Sequence, residues 1–167
     1  MNLLIISVYY PPVISSLAVM MEEVAKYLHK KGHKVSVATV KPHSDLNLVK
    51  TDKQIDFQTY SLEDGVEVIR VPTPPLKSKS LLIRGFVQLL LPHIFFWKIN
   101  KYMKEDFDFV MISTPPLHLT KLGKIFKKKH KSKFLLFVQD IYPESLVDIG
   151  AINNKRIVQY FKNIAEE

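Results

Sequence analysis

A chain of 167 residues with 24 Lys and Arg against 16 Asp and Glu carries a net charge of +8, and its 47% hydrophobic share is that of one folded domain, which excludes a disordered tail or a collagen-like repeat. The absence of Cys excludes a disulfide framework, a Cys-ligated zinc or iron–sulfur centre, and a thiol nucleophile. A charge of this sign favours nucleic acid, anionic lipid or phosphorylated ligands, and the total does not separate them.

The opening residues carry no basic segment, and the apolar run from Leu3 is too short for a secretory signal, which predicts a cytoplasmic protein. Leu3-Leu4-Ile5-Ile6-Ser7-Val8 reads as a strand buried on both faces, ended by Tyr9-Tyr10-Pro11-Pro12. A helix follows. Ser15 or Ser16 can cap it, and Leu17, Met20, Met21, Val24 and Leu28 form one apolar stripe. Glu22 and Lys26 stand four apart on the other face, and Gly32 suits a left-handed stop. Val35 to Thr39 is a second strand, which completes a βαβ unit.

Residues 40–63 are polar and weakly periodic, a loop with a short strand expected near Phe57–Tyr60. After the turn residues Asp64-Gly65, Val66 to Val71 alternates as a half-buried strand does. The apolar segment from Leu81 to Met103 should be helical, kinked or divided by Pro92 near Gln88–Leu91. Its stretch from Leu81 to Trp97 nears the length of a membrane span. Arg84, Gln88, Pro92 and His93 interrupt it, so a surface or core helix is expected instead. Phe109–Ser113 is the next strand, Leu119–His130 a basic helix, Phe134–Val138 another strand, fully buried, and Lys155–Glu167 a closing helix. Strands alternating with helices predict an α/β fold, Rossmann-like, with a doubly wound and mainly parallel sheet in a single domain over residues 1–167.

In such a sheet ligands bind beyond the carboxyl ends of the strands. Nine of the ten prolines fall there: Pro11, Pro12, Pro42, Pro72, Pro74, Pro75, Pro115, Pro116 and Pro143. Proline fixes φ and cannot continue a ladder, so either each simply ends its strand or together they stiffen one cleft rim. The same positions carry Tyr9, Pro12, Ser15, Ser16, Ser113, Thr114, His118, Gln139, Tyr142 and Glu144 as candidate cleft residues. Asp140, directly after a strand of five apolar residues, is the candidate catalytic group, able to orient or deprotonate a hydroxyl; capping of the following helix is its alternative role. Glu144 reads better as a partner of a helix dipole than as an acid.

No G-x-G-x-x-G, P-loop, H-E-x-x-H or G-x-S-x-G occurs, so no dinucleotide fingerprint, metal site or hydrolase elbow is indicated. The lysines from Lys121 to Lys133 interleave with one aromatic, Phe126, which is thin support for nucleic acid. A solvated helix end accounts for them, and contact with anionic lipid is the rival, strengthened by Phe95-Phe96-Trp97. Core packing is the competing account of those three aromatics.

Together these segments resemble the N-terminal half of a GT-B glycosyltransferase of family four. The resemblance lies in Leu3–Val8 with Tyr9-Tyr10-Pro11-Pro12, Ala25–Leu28 with Lys31–Val37, Gly65–Pro72, Ser113–Leu117 and Gln139–Ser145. The last is similar to the Asp-Leu-Trp-Pro-Glu-Ser of the branch that builds capsule, O-antigen and colanic-acid repeat units. The resemblance implies a retaining transferase that needs no metal or other cofactor, uses a nucleotide-sugar donor and glycosylates a lipid-linked glycan acceptor. It implies as well a C-terminal, donor-binding domain absent from this chain, so that the chain alone is inactive. Where family members carry a Gly pair after the first strand, this sequence has Ser15-Ser16, whose Cβ atoms narrow the approach of a diphosphate, and Gln139 stands where many have His. The rival readings are a non-catalytic module for a small phosphorylated ligand and a basic protein that binds a membrane surface or nucleic acid. Under the favoured reading no nucleic acid is expected as a partner, and an anionic membrane surface is.

Overall fold

The computed structural model describes residues 1–42, 58–74, 81–139, 144–148, 150 and 154–166. In chain order the elements are β1 (Asn2–Ile6), α1 (Ser16–Lys30), β2 (Lys34–Val40), β3 (Tyr60–Glu63), β4 (Val66–Val71), α2 (Leu81–Tyr102), β5 (Phe109–Ser113), a 3-10 turn (Leu117–Leu119), α3 (Thr120–His130), β6 (Lys133–Phe137), α4 (Glu144–Asp148) and α5 (Lys155–Glu166). The six strands form one sheet in the order β3-β4-β2-β1-β5-β6, with only β3 antiparallel to its neighbour. This is the Rossmann-like, mainly parallel architecture expected.

Alternation along β1 divides the core in two. Leu4 and Ile6 face a layer made by α2 and α3, where Val87, Leu91, Phe95, Ile99, Leu122 and Phe126 pack. Leu3 and Ile5 face α1, through Leu17, Met21 and Ala25. The helix after β1 and the helix after β5 thus cover opposite faces, and β1 and β5 are neighbours: this is the point at which a doubly wound sheet reverses its winding. Complete burial of side chains such as Phe95 or Leu91 contributes about 2–3 kcal/mol each before conformational entropy is set against it.

Ser15, not Ser16, caps α1, its hydroxyl accepting the Ala18 amide at 3.0 Å. The buried stripe of α1 is Leu17, Ala18, Met21 and Ala25, and Met20 is exposed. The buried stripe is thus offset from the apolar one and leaves Met20 on the helix flank. Lys26 pairs with Glu22 as the spacing predicts, and also with Asp64, each at 2.9 Å.

The expected strand near Phe57–Tyr60 lies three residues later, as β3, joined to β4 by a two-residue turn in which Asp64 and Gly65 both have positive φ (49° and 83°). This is the primed hairpin turn that Asp-Gly favours. β4 is buried on both faces except at Glu67, not half-buried, because both sides of the sheet are covered: Ile69 and Val71 join the α2/α3 core, and Val66 and Val68 the α1 core. Pro92 neither divides nor ends α2, which runs unbroken for 22 residues. A proline deletes one donor, while Leu91 and Phe95 on either side are fully buried and hold the helix to the sheet. β6 is the outermost strand, and Leu135 (45%) and Val138 (55%) are exposed, so the expectation of a fully buried strand at Phe134–Val138 is wrong. An apolar run is compatible with an interior or an edge position, and only strand order separates the two.

Candidate active-site cleft

Five parallel strands end on one edge of the sheet, and the described proline loops gather there: Pro11-Pro12, Pro42, Pro72, Pro74 and Pro115-Pro116. Pro75 and Pro143 lie outside the described residues. At the β1/β5 junction the Ser113 hydroxyl donates to Ser7 Oγ at 2.8 Å, and the Ser7 hydroxyl donates to the Tyr9 carbonyl at 2.8 Å. Thr39 Oγ1 donates to the Val8 carbonyl and the Ser7 amide to the Ala38 carbonyl, so β2 anchors the same loop. The Thr114 amide donates to the Phe137 carbonyl, which links β6. The ends of β2 and β5 therefore fix the segment from Ser7 to Tyr9 at the reversal point, and β6 fixes Thr114 beside it.

A charged residue supports the rim from beneath. Arg70 (4% exposed) donates to the Pro11 carbonyl at 3.2 Å, to Ser61 Oγ at 2.9 Å and to both carboxylate oxygens of Glu63. Burial pushes the Glu63 carboxyl up, but the hydrogen bonds from Arg70 and Ser61 outweigh it and hold the group below its ordinary value. Tyr10, buried beside this network, is pushed up to about 12 by burial first and then by the charges of Glu22 and Glu63, so it stays a neutral phenol. Arg70 was absent from the sequence candidates. Its signal was present: in a strand with Val66 and Val68 inward, period two puts Arg70 inward too, and a buried guanidinium demands partners.

His118, in the 3-10 turn after β5, is 3% exposed. Its Nε2 lies 3.1 Å from the Tyr160 hydroxyl of α5, and the Phe161 ring stands edge-on to it. Among the described residues its buried Nδ1 has no hydrogen-bond partner, and the same is true of Thr114 Oγ1. Burial, with a smaller contribution from Lys121, pushes the imidazole down to about 4, so it is neutral at physiological pH. Tyr160 could not be anticipated, since only the tertiary fold brings residues 42 apart in sequence together.

The remaining candidates divide. Tyr9 and Pro12 are half-buried on the rim; Ser16 is exposed in the first turn of α1, whereas the Ser15 hydroxyl is already committed as a cap. Ser113 and Thr114 are buried beneath the rim rather than lining it. Gln139 is exposed and reaches Met20 of α1, which brings the end of β6 beside α1. Glu144 opens the five-residue α4, is exposed and pairs with Lys162 of α5 at 3.6 Å, a surface contact rather than an acid in a cleft. Asp140 and Tyr142 lie outside the described residues. Among the described residues, no group of three or more His, Asp or Glu is placed to hold a metal ion. No helix among them is long and apolar enough to cross a membrane.

A recess at the opposite, amino-terminal edge is lined by Asn2, Lys34, Glu67, Tyr102 and Glu105. Lys34 already pairs there with Glu105 at 2.9 Å and Glu67 at 3.7 Å, and neither strand polarity nor unmatched charge marks it as the site.

No family model matches the chain, and no curated protein does. Among solved structures, a sucrose-phosphate synthase from Thermosynechococcus elongatus superposes with a TM-score of 0.59 at 12% identity, over 93% of this chain and 36% of that one. The likeness shows that this chain shares its Rossmann-like fold with part of that protein. The chain spans about a third of that neighbour's length.

Proposed function

We propose that the chain is the N-terminal, acceptor-side domain of a retaining glycosyltransferase that moves a sugar from a nucleotide-sugar to a lipid-linked glycan in surface-polysaccharide synthesis. The observation that carries this reading is the convergence, at the β1/β5 reversal, of segments that resemble family four: the loop of Tyr9 to Pro12, the Ser113–Leu117 turn and, beside them, the end of β6 at Phe137. A rim fixed by the ends of β2, β5 and β6 presents an acceptor hydroxyl in one orientation, the contribution a preorganised site makes to a transfer between two bound substrates. A C-terminal domain supplies the donor site. In the transfer the acceptor oxygen bonds to the anomeric carbon as the bond to the donor diphosphate breaks, and the hydroxyl proton must leave.

Asp140 is the group assigned to that hydroxyl, which it orients or deprotonates. Asp140→Asn in the full-length protein keeps the size and the capping capacity of the side chain. With sugar transfer to a lipid-linked acceptor as the assay, kcat should fall about 10²-fold or more. An unchanged kcat in a folded variant reduces Asp140 to a helix cap and removes the catalytic part of the proposal.

A further inference from the structure

The outer surface of the α2/α3 layer is not accounted for by the cleft. The inner stripe of α2, Val87, Leu91, Phe95 and Ile99, is fully engaged with the sheet. Its opposite stripe, Phe86, Leu89, His93 and Trp97, is exposed, with Phe86 at 63% and Trp97 at 60%. The three adjacent aromatics therefore part company: Phe95 is core, Phe96 packs edge-on against Phe126, and Trp97 stands in solvent. Phe86 and Leu89, three residues apart, and Trp97, eight residues further along the same helix face beyond His93, form an aligned ridge rather than scattered exposure.

The ridge is bordered by cations. Lys98 and Lys101 place their ammonium groups 5.1 and 5.5 Å from the Trp97 ring centre. Lys129 of α3 lies 5.1 Å from the Phe96 ring and donates to Asn100 Oδ1 at 2.6 Å, which fastens the lysine-rich helix beside the ridge. α3 exposes Lys127, Lys128 and Lys129, and neither α2 nor α3 contains a single Asp or Glu. Charge of one sign concentrated around an apolar ridge matches an anionic bilayer, whose headgroups meet the lysines while its acyl region receives the rings. Nucleic acid fits less well, since it offers nothing to Phe86 and Leu89.

From this arrangement we infer that the α2/α3 layer docks on an anionic lipid surface, with Phe86, Leu89 and Trp97 entering the interface and the lysines of α3 contacting phosphate headgroups. The inference rests on these two helices alone and stands or falls apart from the transferase reading. Trp97 is the protein's one tryptophan, so its fluorescence reports on the ridge directly. With vesicles of phosphatidylcholine containing one part in three of phosphatidylglycerol, its emission should shift to the blue and be quenched by brominated acyl chains. Vesicles of phosphatidylcholine alone should leave it unchanged, and raising the salt well above physiological strength should weaken co-sedimentation about tenfold. Lys127→Gln with Lys128→Gln should weaken binding, and Phe86→Ser with Leu89→Ser should abolish the blue shift; both pairs are exposed, and circular dichroism checks that each variant folds. Sedimentation with vesicles while Trp97 emission stays fixed overturns the inference, as does tighter binding to a short DNA duplex than to anionic vesicles.

Discussion

At the scale of single residues, His118 couples the cleft to pH. In the unfolded chain its imidazole takes a proton below about 6.5, whereas in the folded chain it does so only below about 4. Between those values the unfolded state binds more protons. The contribution of the neutral ring is therefore complete above about pH 6.5 and is lost as pH falls toward 4. Going from about pH 7.5 to about pH 5 should lower the unfolding free energy by about 2 kcal/mol, read from urea midpoints, and His118→Gln should remove most of that slope. A slope unchanged by the substitution would assign the acid sensitivity to other groups. Glu63 acts in a separate window: its lowered value makes its contribution disappear only as pH drops below the ordinary carboxylate value of 4.5.

At the scale of elements, turn and cap chemistry make specific demands. Gly65 has φ of 83°, and a Cβ there would fall 2.1 Å from the His29 ring. Gly65→Ala should destabilise the protein by about 1–3 kcal/mol, the sum of left-handed backbone strain and displacement of His29, measurable as a lowered denaturation midpoint with an unchanged m-value. Ser15→Ala removes the hydroxyl that satisfies the Ala18 amide and should cost about 1 kcal/mol, whereas Ser16→Ala, at an exposed helical position, should be nearly neutral. Equal losses at both serines would contradict the capping assignment. These features were legible in the sequence because they are local: Asp64-Gly65 states its turn within four residues, and the serine pair before Leu17 marks the start of α1, although which serine caps it is settled only by the geometry. Arg70 was legible in principle, through period two. The edge position of β6, the continuity of α2 through Pro92 and the contact of Tyr160 with His118 were not, because each depends on which elements become neighbours, and apolar composition does not encode strand order.

At the scale of the whole molecule, the Rossmann-like fold and the sheet edge that carries the described proline loops were legible, since the alternation of strands and helices fixes polarity and the prolines mark the ends. If a C-terminal domain provides the donor site, residues 1–167 alone should show no measurable sugar transfer, and calorimetry should detect only weak nucleotide-sugar binding. Micromolar affinity in this chain would contradict that division of labour. The strand order bears also on how the chain reaches its fold. β1 lies at the centre of the sheet, yet Ser7 and its partner Ser113 are 106 residues apart. Local pairing can complete β1, β2 and, later, the β3/β4 hairpin, but one whole side of β1 must wait for β5, across a long and entropically costly loop closure. During synthesis, then, Leu3 to Ile6 present an open apolar edge until Phe109 to Ser113 have emerged. Ribosome-stalled chains ending before Phe109 should be protease-sensitive and chaperone-bound, while chains extended far enough to free Ser113 from the exit tunnel should become resistant in one step.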